Sequence, residues 1–118
     1  SMKTIRPVTL SGKTHRIEVG CGKLYVTVNK NEEGQVIEVF SKIGKSGGCA
    51  EAQSEAVCRL ISLYLRSGGS IEEVVDQLLS IRCSQPFAIM VEDQLRHVFS
   101  CPDGTAQILK QYCSGEIR

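Results

Sequence analysis

The chain has 118 residues, of which 42% are hydrophobic and 23% charged, and its net charge is +1. This length fits one domain with its own core, so we expect a single domain over residues 13–118 behind a flexible polar arm over residues 1–12. The near-zero net charge predicts no strong electrostatic attraction to nucleic acid or anionic membranes, so neither is an expected partner, although a local patch is still able to bind phosphate. No apolar run is long enough to span a bilayer.

The N-terminus has no apolar segment of the kind that forms a secretion signal, and Ser1 before Met2 is interpreted as a scar of tag removal. We therefore expect a cytoplasmic protein. In that reducing compartment the six cysteines are better explained as metal ligands or buried thiols than as disulfides.

Three strands are predicted first, over residues 14–19, 23–29 and 35–43, where apolar and polar side chains alternate. The turn at residues 30–34 contains Asn31 and Gly34, which tolerate a left-handed backbone. The second and third strands are therefore predicted to form an antiparallel hairpin.

A long helix is predicted over residues 50–66, ending before Gly68 and Gly69. Its apolar residues recur at helical spacing, so we expect this whole stripe to be buried. The stripe consists of Ala52, Ala56, Leu60, Leu63 and Tyr64, widened by Val57, Ile61 and Leu65.

Ser70 and Glu73 have the spacing of a capping box, which opens a second helix to about residue 80. Residues 87–99 contain two apolar runs around a polar tripeptide and predict a second hairpin, with a short helix as the alternative. A last helix is predicted to residue 112, with Cys101 as its N-cap and Pro102 in the first helical position. This order predicts an α+β fold: a small antiparallel sheet of about three strands packed against about three helices.

Four cysteines lie where a loop meets a predicted helix or strand: Cys21, Cys49, Cys83 and Cys101. Side chains at such junctions are able to point at a shared centre. Four thiolates favour tetrahedral zinc, and an iron–sulfur cluster uses the same ligands. Because the unpaired N–H groups of a helix N-terminus stabilise a thiolate, we expect a lowered pKa at Cys101. The spacing contains no C-x-x-C pair, so unrelated thiols are the alternative.

The other candidate ligands have simpler explanations. Cys58 lies in the middle of a helix beside its apolar face and is predicted to be a core thiol. Cys113 follows the last helix and is predicted to be exposed or frayed. His15 and His97 are spare ligands in principle, and a solvent-facing or hydrogen-bonded histidine explains each of them.

A glycine-rich loop precedes the long helix and is a second candidate site. Lys45, Ser46, Gly47 and Gly48 stand before a helix N-terminus, whose free N–H groups bind phosphate. The loop does not have the spacing of a Walker motif. The alternative is a glycine turn that gives the backbone access to Cys49.

Residues 99–103, Phe-Ser-Cys-Pro-Asp, resemble the five-residue motif that names the TSCPD domain, with Phe99 at its first position. Residues 20–29, residues 43–49 with 53–56, and residues 80–83 resemble the C-terminal domain of vitamin-B12-dependent (class II) ribonucleotide reductases. The chain is also distantly similar to IscU/NifU-type iron–sulfur scaffolds, in which Cys21, Cys49 and Cys101 have counterparts.

The resemblance implies an IscU/NifU-like layer sandwich and one four-cysteine metal site. It implies zinc, with an iron–sulfur cluster as the alternative cofactor. The expected partner is a reductase catalytic subunit or a small nucleotide, and an oligomer is compatible with either. The reductase's barrel, radical and cobalamin machinery is missing from this sequence, so we do not expect an independent enzyme.

Overall fold

The computed structural model describes residues 5–44 and 48–113, in which three antiparallel strands form one sheet. The strands are β1 (Ser11–Val19), β2 (Gly22–Lys30) and β3 (Val36–Ile43), with β2 in the centre. Val19 pairs with Gly22, so a two-residue turn joins β1 to β2. The three predicted strands and the β2–β3 hairpin are confirmed.

A second sheet contains only the hairpin of β4 (Phe87–Val91) and β5 (Gln94–Val98). Glu92 and Asp93 form its two-residue turn with left-handed φ angles of 50° and 64°, as a type I′ turn requires. The predicted second hairpin is confirmed, and the helical alternative is wrong. Together with three helices these sheets form the predicted α+β fold.

The helices are α1 (Gly48–Arg66), α2 (Ile71–Leu78) and α3 (Cys101–Cys113). Ser70 caps α2 as predicted, since its hydroxyl accepts the Glu73 N–H at 3.2 Å. The core lies between one face of the sheet and the helices, where Leu24, Val26 and Leu109 are fully buried. No helix in the two described ranges is long and apolar enough to cross a membrane.

The arm before β1 is fastened to the opposite face of the sheet. The Arg6 Nε donates to a carboxylate oxygen of the buried Glu38 at 2.7 Å, and the Asn29 amide donates to the other oxygen at 2.7 Å. Burial raises the pKa of Glu38, but the bonds from Arg6 and Asn29 outweigh burial and the net pKa is lowered. The carboxylate therefore stays ionised at neutral pH.

The predicted buried stripe of α1 is largely wrong. Leu60, Leu63 and Tyr64 are 65%, 43% and 40% exposed, and Ala52 and Ala56 are exposed as well. The residues that α1 does bury are Ser54, Cys58, Ile61, Ser62 and Leu65. The helix is therefore turned so that much of its apolar row faces solvent.

The unpaired edge of β3 explains this orientation. The Ser62 hydroxyl accepts the Val39 N–H at 3.0 Å and donates to the Val39 carbonyl at 3.2 Å. Cys58 donates to the Ser41 hydroxyl at 3.3 Å one turn earlier. An edge strand leaves backbone groups without a strand partner, and burying them unpaired is costly. Small polar side chains on α1 meet that need, which larger apolar side chains cannot do.

Two helical leucines provide a matched test of this packing. Leu109→Ala should lower the free energy of unfolding by about 2–5 kcal/mol, because Leu109 is fully buried and its removal leaves a cavity. Leu60→Ala should change it by less than about 0.5 kcal/mol, because Leu60 is exposed. Urea denaturation measures both values. An equal loss in the two variants would contradict the exposed row on α1.

Candidate metal centre

The structure brings three of the four predicted cysteine ligands into one neighbourhood. Cys21 occupies the β1–β2 turn, Cys83 lies in the loop between α2 and β4, and Cys101 is the first residue of α3. Cys21 and Cys101 are in hydrogen-bond contact, and the charges of both Cys21 and Cys83 act on Cys101. Residues far apart in sequence therefore meet at one end of the sheet.

Close backbone packing holds the Cys83 loop beside the β1–β2 turn. A Cβ at Gly20 would overlap the carbonyl oxygen of Gln85, so only glycine fits at this position. The Cys83 N–H donates to the Phe99 carbonyl at 2.9 Å. The Gln85 N–H donates to the Cys83 sulfur at 3.3 Å. Cys83 is thus fixed between the hairpin turn and the entry to α3.

Asp103 fixes the same region from inside the protein. One carboxylate oxygen accepts the Ser80 N–H at 2.7 Å, and the other accepts the Phe99 N–H at 2.9 Å and the Gln107 amide at 3.0 Å. The residue is 2% exposed. A carboxylate in the first helical turn complements the dipole of α3, but the bonds of Asp103 to two separate segments were not predicted from the sequence.

Ser100, and not Cys101, caps α3. Its hydroxyl accepts the Asp103 N–H at 3.1 Å, so Cys101 is the first helical residue and Pro102 the second. The predicted cap was one residue too late. The Ser-x-x-Asp spacing is itself a capping signal, and a hydroxyl is a stronger acceptor than a thiol.

The pKa of Cys101 is raised to about 11, and the expected lowering is wrong. Burial is the largest cause, followed by the charge of Cys21 and the hydrogen bond with it; Cys83 adds a smaller effect. A hydrogen bond with Ser54 acts in the opposite direction. Burial and neighbouring thiols therefore outweigh the helix N-terminus. Ser54, buried on α1, is a site residue that the sequence analysis missed.

The contacts that act on Cys101 do not include the fourth predicted ligand, Cys49. Cys49 is the second residue of α1 and is exposed. Ser54, which contacts Cys101, lies about 7.5 Å further along the helix axis. In residues 5–44 and 48–113, no set of three His, Cys, Asp or Glu side chains has the arrangement of a metal site. The contacts among Cys21, Cys83 and Cys101 therefore form a neighbourhood of thiols and not a finished coordination sphere.

The loop predicted to bind an anion lies mostly outside the described residues. Lys45, Ser46 and Gly47 lie outside the described residues 5–44 and 48–113. Gly48 begins α1 with a φ of +75°, a backbone conformation that favours glycine.

The remaining two cysteines lie elsewhere. Cys58 is 3% exposed, and burial raises the pKa of its thiol, so the predicted core thiol is confirmed. Cys113 is the last residue of α3 and half-buried, so the prediction of an exposed or frayed thiol is wrong. Its sulfur donates to the Leu109 carbonyl at 3.6 Å, and burial is the largest cause of its raised pKa.

Both histidines have structural contacts. The His15 Nε2 and the Tyr112 hydroxyl are 2.7 Å apart, and burial, then the charge of Lys13, lowers the pKa of His15. His97 stacks on Phe99 with ring centroids 5.7 Å apart. These contacts are consistent with the prediction that each histidine is solvent-facing or hydrogen-bonded.

A comparison with protein families finds a match for the sequence of this chain. The sequence model of the TSCPD domain matches residues 1–113, nearly the whole chain. The matched segment includes all four candidate cysteines and Asp103. No solved structure matches the chain.

Asp103→Ala should lower the free energy of unfolding by about 3 kcal/mol, because it removes the acceptor of two part-buried backbone N–H groups, those of Ser80 and Phe99. Asp76→Ala is a matched control on an exposed helical position and should change stability by less than about 0.5 kcal/mol. Chemical denaturation followed by circular dichroism compares the two. Equal stability of both variants would show that the Asp103 carboxylate does not hold this region together.

Proposed function

Because the chain belongs to the TSCPD domain family, we propose that it is a metal-binding accessory module whose cysteines hold one zinc ion. The ligands are Cys21, Cys49, Cys83 and Cys101. The observation that carries the proposal is the meeting of Cys21, Cys83 and Cys101, which come from three separate segments of the fold.

The chemistry of these side chains fits zinc. Thiolates bind zinc strongly, and four of them supply the tetrahedral set of a structural site. Neighbouring thiolates repel one another, and a bound divalent cation offsets that repulsion while the thiols release their protons. The N–H bond to the Cys83 sulfur and the contact of Ser54 with Cys101 are the kind of outer contacts that orient metal ligands.

Whether Cys49 is a ligand determines whether the metal site is closed or has an open coordination position. With Cys49 as a ligand, the four-thiolate sphere is closed and the metal is structural. Without it, three thiolates leave an open position and the site is reactive. The second candidate function, a scaffold or carrier of iron–sulfur clusters, needs accessible cysteines, and Cys49 on the first turn of α1 is exposed.

The accessory role rests on the resemblance to the C-terminal domain of class II ribonucleotide reductases. The proposed partner is a reductase catalytic subunit, to which this module contributes a metal-stabilised cysteine site. A nucleotide ligand would use Lys45, Ser46, Gly47 and Gly48, of which the structure describes only Gly48. Thermal shifts across a panel of nucleotides test that alternative, and no shift with any of them would remove it.

Protein purified without chelator should contain about one zinc ion per chain, measured by elemental analysis. Cys21→Ser, Cys83→Ser and Cys101→Ser should each lose most of the metal, because a tetrahedral site tolerates no missing ligand. Metal removal should lower the melting temperature by at least about 5 °C, since 1 kcal/mol corresponds to roughly 4–8 °C in a domain of this size.

Cys58→Ser and Cys113→Ser are the controls and should keep their metal, since both thiols lie outside the cluster. Loss of the metal in Cys49→Ser would show that Cys49 is a ligand of a closed site. Retention of the metal would show that the site is open. Visible absorption after anaerobic loading with iron and sulfide would identify a cluster. The proposal would be refuted by wild-type protein that contains no metal and takes up neither zinc nor a cluster. In that case its melting temperature would also be unchanged by chelator.

A further inference from the structure

We propose that the cleft between α1 and α2 docks a basic amphipathic helix of a partner protein. The cleft has a volume of about 570 Å³ and is separate from the cysteine cluster. Its apolar lining comes from both helices: Val57, Leu60, Ile61 and Tyr64 of α1 and Val74 and Leu78 of α2. The proposal does not depend on metal binding.

The cleft exists because the two helices pack on different parts of the fold. α1 packs against β3, where Ser62 bonds to the strand edge, and α2 packs against α3. Within residues 5–44 and 48–113 neither helix covers the other, so the outer residues of the α1 row stay exposed along the cleft. Leu60 at 65% exposed and Tyr64 at 40% exposed belong to a continuous apolar surface, which in soluble domains marks interaction sites.

One end of the cleft is already rigid. The Tyr64 hydroxyl of α1 donates to the Glu73 carboxylate of α2 at 2.7 Å, and the Ser70 hydroxyl donates to the same carboxylate at 3.1 Å. The bond raises the pKa of Tyr64 and lowers that of Glu73, so it persists at neutral pH. The Tyr64 ring is therefore held in place before any partner arrives, which reduces the entropy cost of binding.

The charged residues that line the cleft indicate which kind of partner binds there. Among the described residues that line the cleft, Glu73 and Asp76 are acidic and none is basic. A second copy of this chain would place these carboxylates opposite each other across a two-fold axis, which like charges disfavour. A basic partner has the complementary charge. Because the whole chain has a net charge of only +1, any preference for a basic partner must come from this local surface.

The shape of the lining selects a helix. Val57, Leu60, Ile61 and Tyr64 recur at i, i+3, i+4 and i+7, the pattern that pairs with the apolar face of a second helix. Small-molecule sites enclose most of their ligand, whereas Leu60 lies open to solvent at the centre of this row. An elongated apolar ligand with basic flanks fits the cleft better than a compact one.

Two labelled synthetic helical peptides test the proposal by fluorescence anisotropy with the full chain. They share one face of leucines and differ only in having lysines or glutamates on the other face. The lysine peptide should bind saturably and at least roughly tenfold more tightly than the glutamate peptide. Leu60→Ser should weaken its binding roughly tenfold, through loss of buried apolar contact. Asp76→Asn should weaken it roughly two- to fivefold, through loss of one ion pair.

Matched controls lie on the β4–β5 hairpin, away from the cleft. Leu95→Ser removes a leucine that is 57% exposed, and Asp93→Asn neutralises an exposed aspartate in the turn; both should leave peptide affinity unchanged. The proposal is overturned by absent binding of the lysine peptide, by equal binding of the two peptides, or by full affinity in Leu60→Ser. It is also overturned if light scattering shows a wild-type dimer that Leu60→Ser dissociates, since a second copy would then fill the cleft.

Discussion

The buried carboxylate of Asp103 connects the segments that form the cysteine neighbourhood. It accepts the N–H groups of Ser80, at the end of the α2 region, and of Phe99, at the end of β5. The same two segments are joined again where the Cys83 N–H meets the Phe99 carbonyl. Charge-assisted bonds to backbone donors are strong inside a protein, because water does not compete there. One side chain in the first turn of α3 therefore helps to fix where Cys83 lies relative to Cys101.

A second constraint, the unpaired edge of β3, determines how α1 lies. The bonds of Ser62 to both backbone groups of Val39 orient the helix with small polar residues towards the strand. Leu60, Leu63 and Tyr64 then face outward, with Leu60 the most exposed of them, while Ile61 and Leu65 stay buried. Satisfying backbone hydrogen bonds at a sheet edge thus leaves an apolar row at the surface. The α1–α2 cleft follows directly from this orientation of α1.

The strands, helices and α+β class follow from short-range patterns: alternation in β2, the capping box at Ser70 and the two apolar runs that form the second hairpin. The burial of α1 was not predictable from periodicity, because periodicity shows which side is apolar and not which side must bond to a strand edge. The raised pKa of Cys101 also depends on long-range contacts with Cys21 and Ser54. Junction positions did identify three cysteines that meet, but they do not show whether Cys49 joins them.

Helix α1 links the proposed metal site to the proposed docking cleft. Its first turn carries Cys49, Ser54 contacts Cys101, and Leu60 lies in the cleft about 9 Å further along the axis. A helix of this length moves as one body unless a proline, a glycine pair or a bulge interrupts it, and residues 49–66 contain neither proline nor glycine. A partner seated on Leu60, as proposed, would therefore bind the same rigid helix that carries Cys49 and Ser54. If both proposals hold, binding of a partner and the position of Cys49 depend on one and the same helix.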